Sequence, residues 1–217
     1  MPNEATYNPD LECLQVSPCS GVILYQWDGR SFHMDVGVTM RNESVGAGLG
    51  ISFGGHAEAL EFLRRPVGSM ASILAEAYRE GEEELGAKAL HRAIAQDVLE
   101  TFAQPLGTSM VRVDWEGKQY VHVPAYYVLP VTAHERLMLG NLRDTDERVG
   151  QILWLRLCWR RALSLHTTSI NEVWLEKDGA CIGWNQFYHG HEPVLVFRPL
   201  AILANTGRLW NDRRKNF

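Results

Sequence analysis

Apolar and polar positions along this chain mark out most of its elements. Residues 21–27 read Gly-Val-Ile-Leu-Tyr-Gln-Trp, a short apolar run that predicts a buried strand. Asp28-Gly29 is a turn signal, and residues 31–38 alternate like the returning strand of a hairpin. Residues 1–20 are polar, carry Pro2, Pro9 and Pro18, and are expected to form an irregular arm ahead of one domain spanning 21–217. Residues 42–55 hold five glycines (46, 48, 50, 54 and 55), a density expected of a flexible loop or of backbone that approaches something closely. Residues 57–65 have helical propensity and Pro66-Val67-Gly68 stops them. Ser69 then caps a main helix that runs to Leu85 and stops at Gly86, with Met70, Leu74, Ala77, Tyr78 and Leu85 as its apolar face.

The second half is less regular. Leu90, Ile94, Val98 and Phe102 recur at helical spacing, predicting one helix over 89–102 that Pro105 ends. Residues 110–115 and 119–123 flank Glu116-Gly117-Lys118 as a hairpin, and 125–132 continue as a strand in which Pro130 limits the ladder. His122 reads as a strand residue, since nothing beside it has ligand spacing. Residues 133–150 form a charged loop with Glu135, Asp144, Asp146 and Glu147. Residues 155–165 suggest a helix, with Arg156, Arg160 and Arg161 set against leucines and Trp159. Lys177-Asp178-Gly179 turns another hairpin, His189-Gly190-His191 reads as a surface loop, and 194–197 predict a strand. A short helix over 199–205, capped near Gly207, closes a C-terminal elaboration over 165–217 with a basic end.

One polar face breaks the rule that charged faces are mixed. At about 100° per residue, Glu76, Glu80, Glu83 and Glu84 share an arc of roughly a quarter-turn on the main helix, and Glu82 points elsewhere. Like charges three and four apart cost about 0.2–0.5 kcal/mol per pair. The only basic residue near the arc is Arg79, at its edge. Such a cluster is easiest to sustain if divalent cations neutralise it, and carboxylate oxygens suit Mg²⁺, Mn²⁺ or Ca²⁺.

These residues also carry a resemblance. Arg79-Glu80-x-x-Glu83-Glu84-x-Gly86 resembles the second half of the Nudix box, G-x5-E-x7-R-E-U-x-E-E-x-G-U (U aliphatic), and Gly55 to Glu61 resembles its first half, entered through Gly54-Gly55. Seventeen residues separate Glu61 from Arg79 instead of seven, a ten-residue insertion, and Gly81 stands where an aliphatic residue is expected. The resemblance implies an α+β fold: an α/β/α sandwich with a mixed sheet flanked by helices, here with an inserted helical segment near 57–68. It also implies a hydrolase cleaving a diphosphate linkage in a nucleoside diphosphate joined to another moiety, with Mg²⁺ or Mn²⁺ as cofactor. Glu80, Glu83, Glu84 and Gly55 would form the metal set, with Arg79 as orienting residue and Glu147 as added ligand or base. Asp144 and Asp146 compete with Glu147, and the loop also reads as ordinary solvated charge. Tyr126, Tyr127, Trp154, Trp184 or Phe187 would stack on a base. Gly81 and the insertion support the alternative, an inactive nucleotide-binding or regulatory module.

Composition narrows the partners. Of 217 residues 46% are hydrophobic and 22% charged, enough for a full core, while a net charge of −5 argues against coating nucleic acid. Cys13, Cys19, Cys158 and Cys181 show no C-x-x-C and read as reduced thiols. No apolar run approaches about 18 residues. The expectation is therefore a cytoplasmic protein without membrane contact, with a small nucleotide-type substrate, and with a homodimer as an open assembly.

Overall fold

The computed structural model describes residues 14–41, 48–56, 70–108, 111–115, 118–140, 148–161, 163, 172–187 and 192–210. Across them the fold is α+β, with ten strands in one mixed sheet and five helices. The spine is β1 (Leu14–Gln26) beside β7 (Lys118–Pro130), parallel from Leu14↔Gln119 to Tyr25↔Pro130. Apart from a single parallel bridge between Leu49 and Phe187, the other pairings are antiparallel, among them β2 (His33–Arg41) with β8 (Arg148–Trp159), β8 with β9 (Val173–Lys177), β9 with β10 (Ala180–Ile182), and β5 (Gln104–Thr108) and β6 (Val111–Trp115) with β7.

Alternation along each strand divides the core in two. Ile23, Tyr25, Val36, Val38, Val128, Leu155 and Leu157 face one layer, closed by α5 (Glu192–Asn205) through Val196, Phe197, Leu200 and Ala201. Val22, Leu24, Tyr127, Leu129 and Ile152 face the other, closed by α1 (Met70–Leu85), α2 (Ala87–Ala93), α3 (Gln96–Phe102) and α4 (Ala133–Leu139).

The sheet forks where the glycine-rich stretch enters. β1 meets β2 only at Tyr25↔Val36 and Gln26↔Asp35; nearer its N-terminus β1 pairs with β4 (Phe53–His56), while the far end of β2 pairs with β3 (Gly48–Ile51). Fully buried Ser52 sits at the vertex, where its Oγ donates to the Gly37 carbonyl (2.7 Å) and accepts from the Leu24 N–H (2.8 Å). A side chain here replaces ladder bonds that the splayed strands cannot make. Ser52→Ala leaves a donor and an acceptor buried and unpaired, an expected loss of about 2–4 kcal/mol in a urea melt. An unchanged midpoint would show that the fork does not depend on this hydroxyl.

Several expectations need correction. β1 begins at Leu14, inside the stretch expected to be an irregular arm. The single helix expected over 89–102 is two, because Ile94 takes extended φ/ψ and its freed carbonyl accepts from the buried Tyr78 hydroxyl at 2.8 Å. Burial pushes that hydroxyl up to about 12, with the Glu82 charge adding to it. Residues 155–159 belong to β8 instead of a helix: Leu155, Leu157 and Trp159 are buried at period two and Arg156 faces out between them. The strand expected at 194–197 and the helix at 199–205 are one helix running through Pro199, ended by Gly207 at φ 69°. α4 occupies the start of the loop expected over 133–150. Its Thr132 and Glu135 form a reciprocal capping box, so Glu135 caps a helix. Residues 1–13, the insertion near 57–68, Ser69, the segment with Asp144, Asp146 and Glu147, the His189/His191 pair and the basic end lie outside the described residues.

Candidate functional site: an acidic helix on a Gly-Gly strand

α1 is laid against β4 by Leu74, Ala77, Tyr78 and Leu85, all buried with Phe53 in one cluster. Gly81 lies on this face, and it leaves no dent. A Cβ there would stand 2.8 Å from the Phe53 ring and 3.0 Å from Leu90, so ring and leucine fill the place where the resemblance implies an aliphatic side chain. The helix comes close enough to bring its carboxylates to the strand's backbone.

The acidic arc meets that backbone at Gly54-Gly55. Glu84, 3% exposed, accepts the Gly54 N–H at 3.0 Å. Glu80 lies directly over Gly55, whose Cα approaches it so closely that any Cβ would overlap the carboxylate. Gly54 itself is at φ 141° with its Cα face against the β1 backbone at Ser20 and Gly21. The two glycines therefore do different work: Gly54 lets two strands close, and Gly55 makes room for Glu80.

Arg79 gathers the rest. Its Nε donates to Glu76 (3.1 Å), Nη1 to Glu83 (2.7 Å) and Nη2 to Glu80. Burial works against the guanidinium's charge, but the hydrogen bond to Glu76 and the charges of Glu80 and Glu83 outweigh it and raise its affinity for the proton. Glu83 is exposed and Glu76 is 3% exposed. Glu82 points away and pairs with His91 instead.

Three carboxylates thus meet one guanidinium, and the fourth, Glu84, holds the Gly54 N–H. All donors are oxygens, as hard divalent cations require, and Glu83 is open to solvent, so donor type, charge and access fit Mg²⁺ or Mn²⁺. Among the described residues, however, no three acidic, His or Cys side chains stand in metal-holding geometry, and Arg79 lies among three of the carboxylates.

Of the residues expected at the site, Arg79, Glu80, Glu83, Glu84 and Gly55 come together here, and Glu147 lies outside the described residues. The sequence signals Glu76 only through its place on the acidic arc, and the bond from the Gly54 N–H to Glu84 has no sequence signal, because both contacts depend on side chains meeting in the folded protein. The base-stacking candidates fare worse. Tyr126, Tyr127 and Phe187 are buried in the core, and Trp184 stacks on Phe197. Arg136 covers the Trp154 ring at 4.6 Å while pairing with Asp35 and Gln26. A shallow cavity of about 480 Å³ beside Arg136 and Trp154 is lined by none of the four glutamates.

Comparison with known proteins gives no matching family model and no matching curated protein. Among solved structures, the chain is similar to a MutT/nudix family protein from Enterococcus faecalis, with 16% identity, 89% of this chain and 68% of that one covered, and a TM-score of 0.49. It is also similar to an Ap4A hydrolase from C. elegans, with 11% identity, 64% and 78% coverage, and a TM-score of 0.38. The chain's own layers stand without them. A mixed sheet lies between helical layers, the α+β sandwich expected from the sequence, and the R-E-x-x-E-E-x-G helix packs on a Gly-Gly strand.

Proposed function

We propose that this protein is a metal-dependent hydrolase that cleaves a diphosphate linkage in a nucleoside diphosphate joined to another moiety. The observation that supports this reading is the convergence of Glu80, Glu83 and Glu84 beside the Gly54-Gly55 backbone. Glu80, Glu83, Glu84 and the Gly55 backbone would hold Mg²⁺ or Mn²⁺. Bound there, the cation would neutralise phosphoryl oxygens and acidify an attacking water. The chain supplies the rest. The Gly54 N–H orients Glu84, Gly55 seats Glu80, and Arg79 keeps Glu80 and Glu83 from turning away from each other. Glu147 is the proposed base for the water's proton.

The second reading, an inactive nucleotide-binding module, draws on Arg79, which already bridges three of the carboxylates. Turnover separates the two. Chromatographic detection of the two cleavage products of ADP-ribose, NADH, dinucleoside polyphosphates and nucleoside triphosphates, with Mg²⁺ or Mn²⁺, is expected to show activity that EDTA removes and Mn²⁺ restores. Nucleotide binding without turnover would favour the module. No turnover and no Mn²⁺ binding would sink the mechanism.

The proposed compartment is the cytoplasm, where cysteines with no C-x-x-C spacing, such as Cys13, Cys19, Cys158 and Cys181, are kept as thiols. No helix among the described residues is long and apolar enough to cross a membrane. A homodimer is the proposed assembly, to be read by light scattering.

A further inference from the structure

We infer that Glu76 is a positioning residue for the acidic site, setting the plane of the Arg79 guanidinium and through it the carboxylates of Glu80 and Glu83. The inference rests on the functional reading above, and it assigns Glu76 no contact with metal or substrate.

The geometry is specific. A guanidinium is a rigid planar fork with five donors, so fixing one edge fixes where the others point. Glu76 takes the Nε edge at 3.1 Å, from one helical turn before Arg79. Nη1 and Nη2 are then directed at Glu83 and Glu80. The three acids differ in surroundings. Glu83 is exposed and keeps access to solvent, whereas Glu76 is 3% exposed. A carboxylate that deep needs a charged partner, and the Nε bond to Arg79 supplies one. Glu80 is further restricted by Gly55 beneath it. If Glu76 no longer accepts from Nε, the guanidinium is free to rotate fully onto Glu80 and Glu83. It would then compete with any cation for their oxygens.

Charge and orientation can be separated by substitution. Glu76→Gln removes the charge but keeps an oxygen that can accept from Nε. Glu76→Ala removes both, and Glu76→Met fills the volume without an acceptor, in case the alanine variant does not fold. Each folded variant would be measured for Mn²⁺ affinity by electron paramagnetic resonance, for kcat and KM on the best substrate, and for the Arg79 Nε–H signal in ¹⁵N spectra. Loss of an orienting partner behind metal ligands typically costs about 10–100-fold in metal affinity or activity. Glu76→Ala and Glu76→Met are expected to lose about that much in Mn²⁺ affinity and kcat, with KM little changed and the protected Nε–H signal gone. Glu76→Gln is expected to stay close to the parent in all three.

If the glutamine variant falls as far as the alanine and methionine variants, Glu76 acts by charge alone and the positioning role is wrong. Variants that all match an active parent overturn it equally. A parent that neither binds Mn²⁺ nor turns over defeats the functional reading itself, and this inference with it. Those results are distinguishable because the last appears in the unsubstituted protein.

Discussion

Glu84→Gln is expected to lower kcat by about 10²–10³-fold, a loss of about 2.7–4 kcal/mol in transition-state stabilisation, while the protein melts where the parent does. The amide is nearly isosteric with the carboxylate, and its oxygen can still accept the Gly54 N–H that Glu84 accepts at 3.0 Å. What disappears is the charge, which a divalent cation needs and the fold does not. Glu80 and Glu84 are four apart on α1, so removing one charge also relieves about 0.2–0.5 kcal/mol of repulsion. Glu82→Gln is the matched control: it lies on the same helix but turns outward to His91, and activity should persist. Equal activity in the Glu84→Gln variant and the parent would remove Glu84 from the mechanism. A collapse of the melting temperature would instead make it a structural carboxylate.

What the sequence discloses here depends on whether a signal is local. The acidic arc is a property of a single helix, and 3.6-residue periodicity displays it without any tertiary information. The hairpin at Asp28-Gly29 is likewise carried by its own turn residues, as is the one at Lys177-Asp178-Gly179. Failures occur where another layer decides. Residues 155–159 offer leucines and arginines that satisfy a helix pattern loosely, but pairing of Leu155 with Val36 and Leu157 with Met34 fixes them in the sheet. Pro199 suggests a boundary from its own chemistry, yet α5 continues through it because Val196, Phe197, Leu200 and Ala201 are buried on one face. Gly81 departs from the motif in sequence, but the two side chains that fill its place come from other elements, Phe53 from β4 and Leu90 from α2. Ser52 gave no signal at all. Its role exists only because β1 and β2 diverge, a property of the assembled sheet.

The two adjacent glycines of β4 should fail in opposite ways when each is replaced by alanine. Gly54 is at φ 141°, a conformation that costs an L-residue of order 1–3 kcal/mol, and its Cβ would stand 2.6 Å from the Gly21 Cα and closer still to the Ser20 carbonyl. Those neighbours are backbone of the central strand and cannot swing aside. Gly54→Ala is therefore expected to destabilise the fold by about 3 kcal/mol or more, lowering the melting temperature by roughly 6–12 °C for a chain of this size. At Gly55 the obstacle is the end of the Glu80 side chain, which can rotate away, and the structure gives Gly55 no positive φ. Gly55→Ala should thus leave melting within a few degrees of the parent while displacing Glu80 from its seat, so Mn²⁺ affinity and kcat fall together by about tenfold or more. Thermal melts and Mn²⁺ titrations on the two purified variants read both effects. A Gly55→Ala protein with parental metal affinity would mean that the seat of Glu80 is irrelevant to the site. A Gly54→Ala protein with parental stability would mean that β1 and β4 do not close as tightly as their backbones indicate.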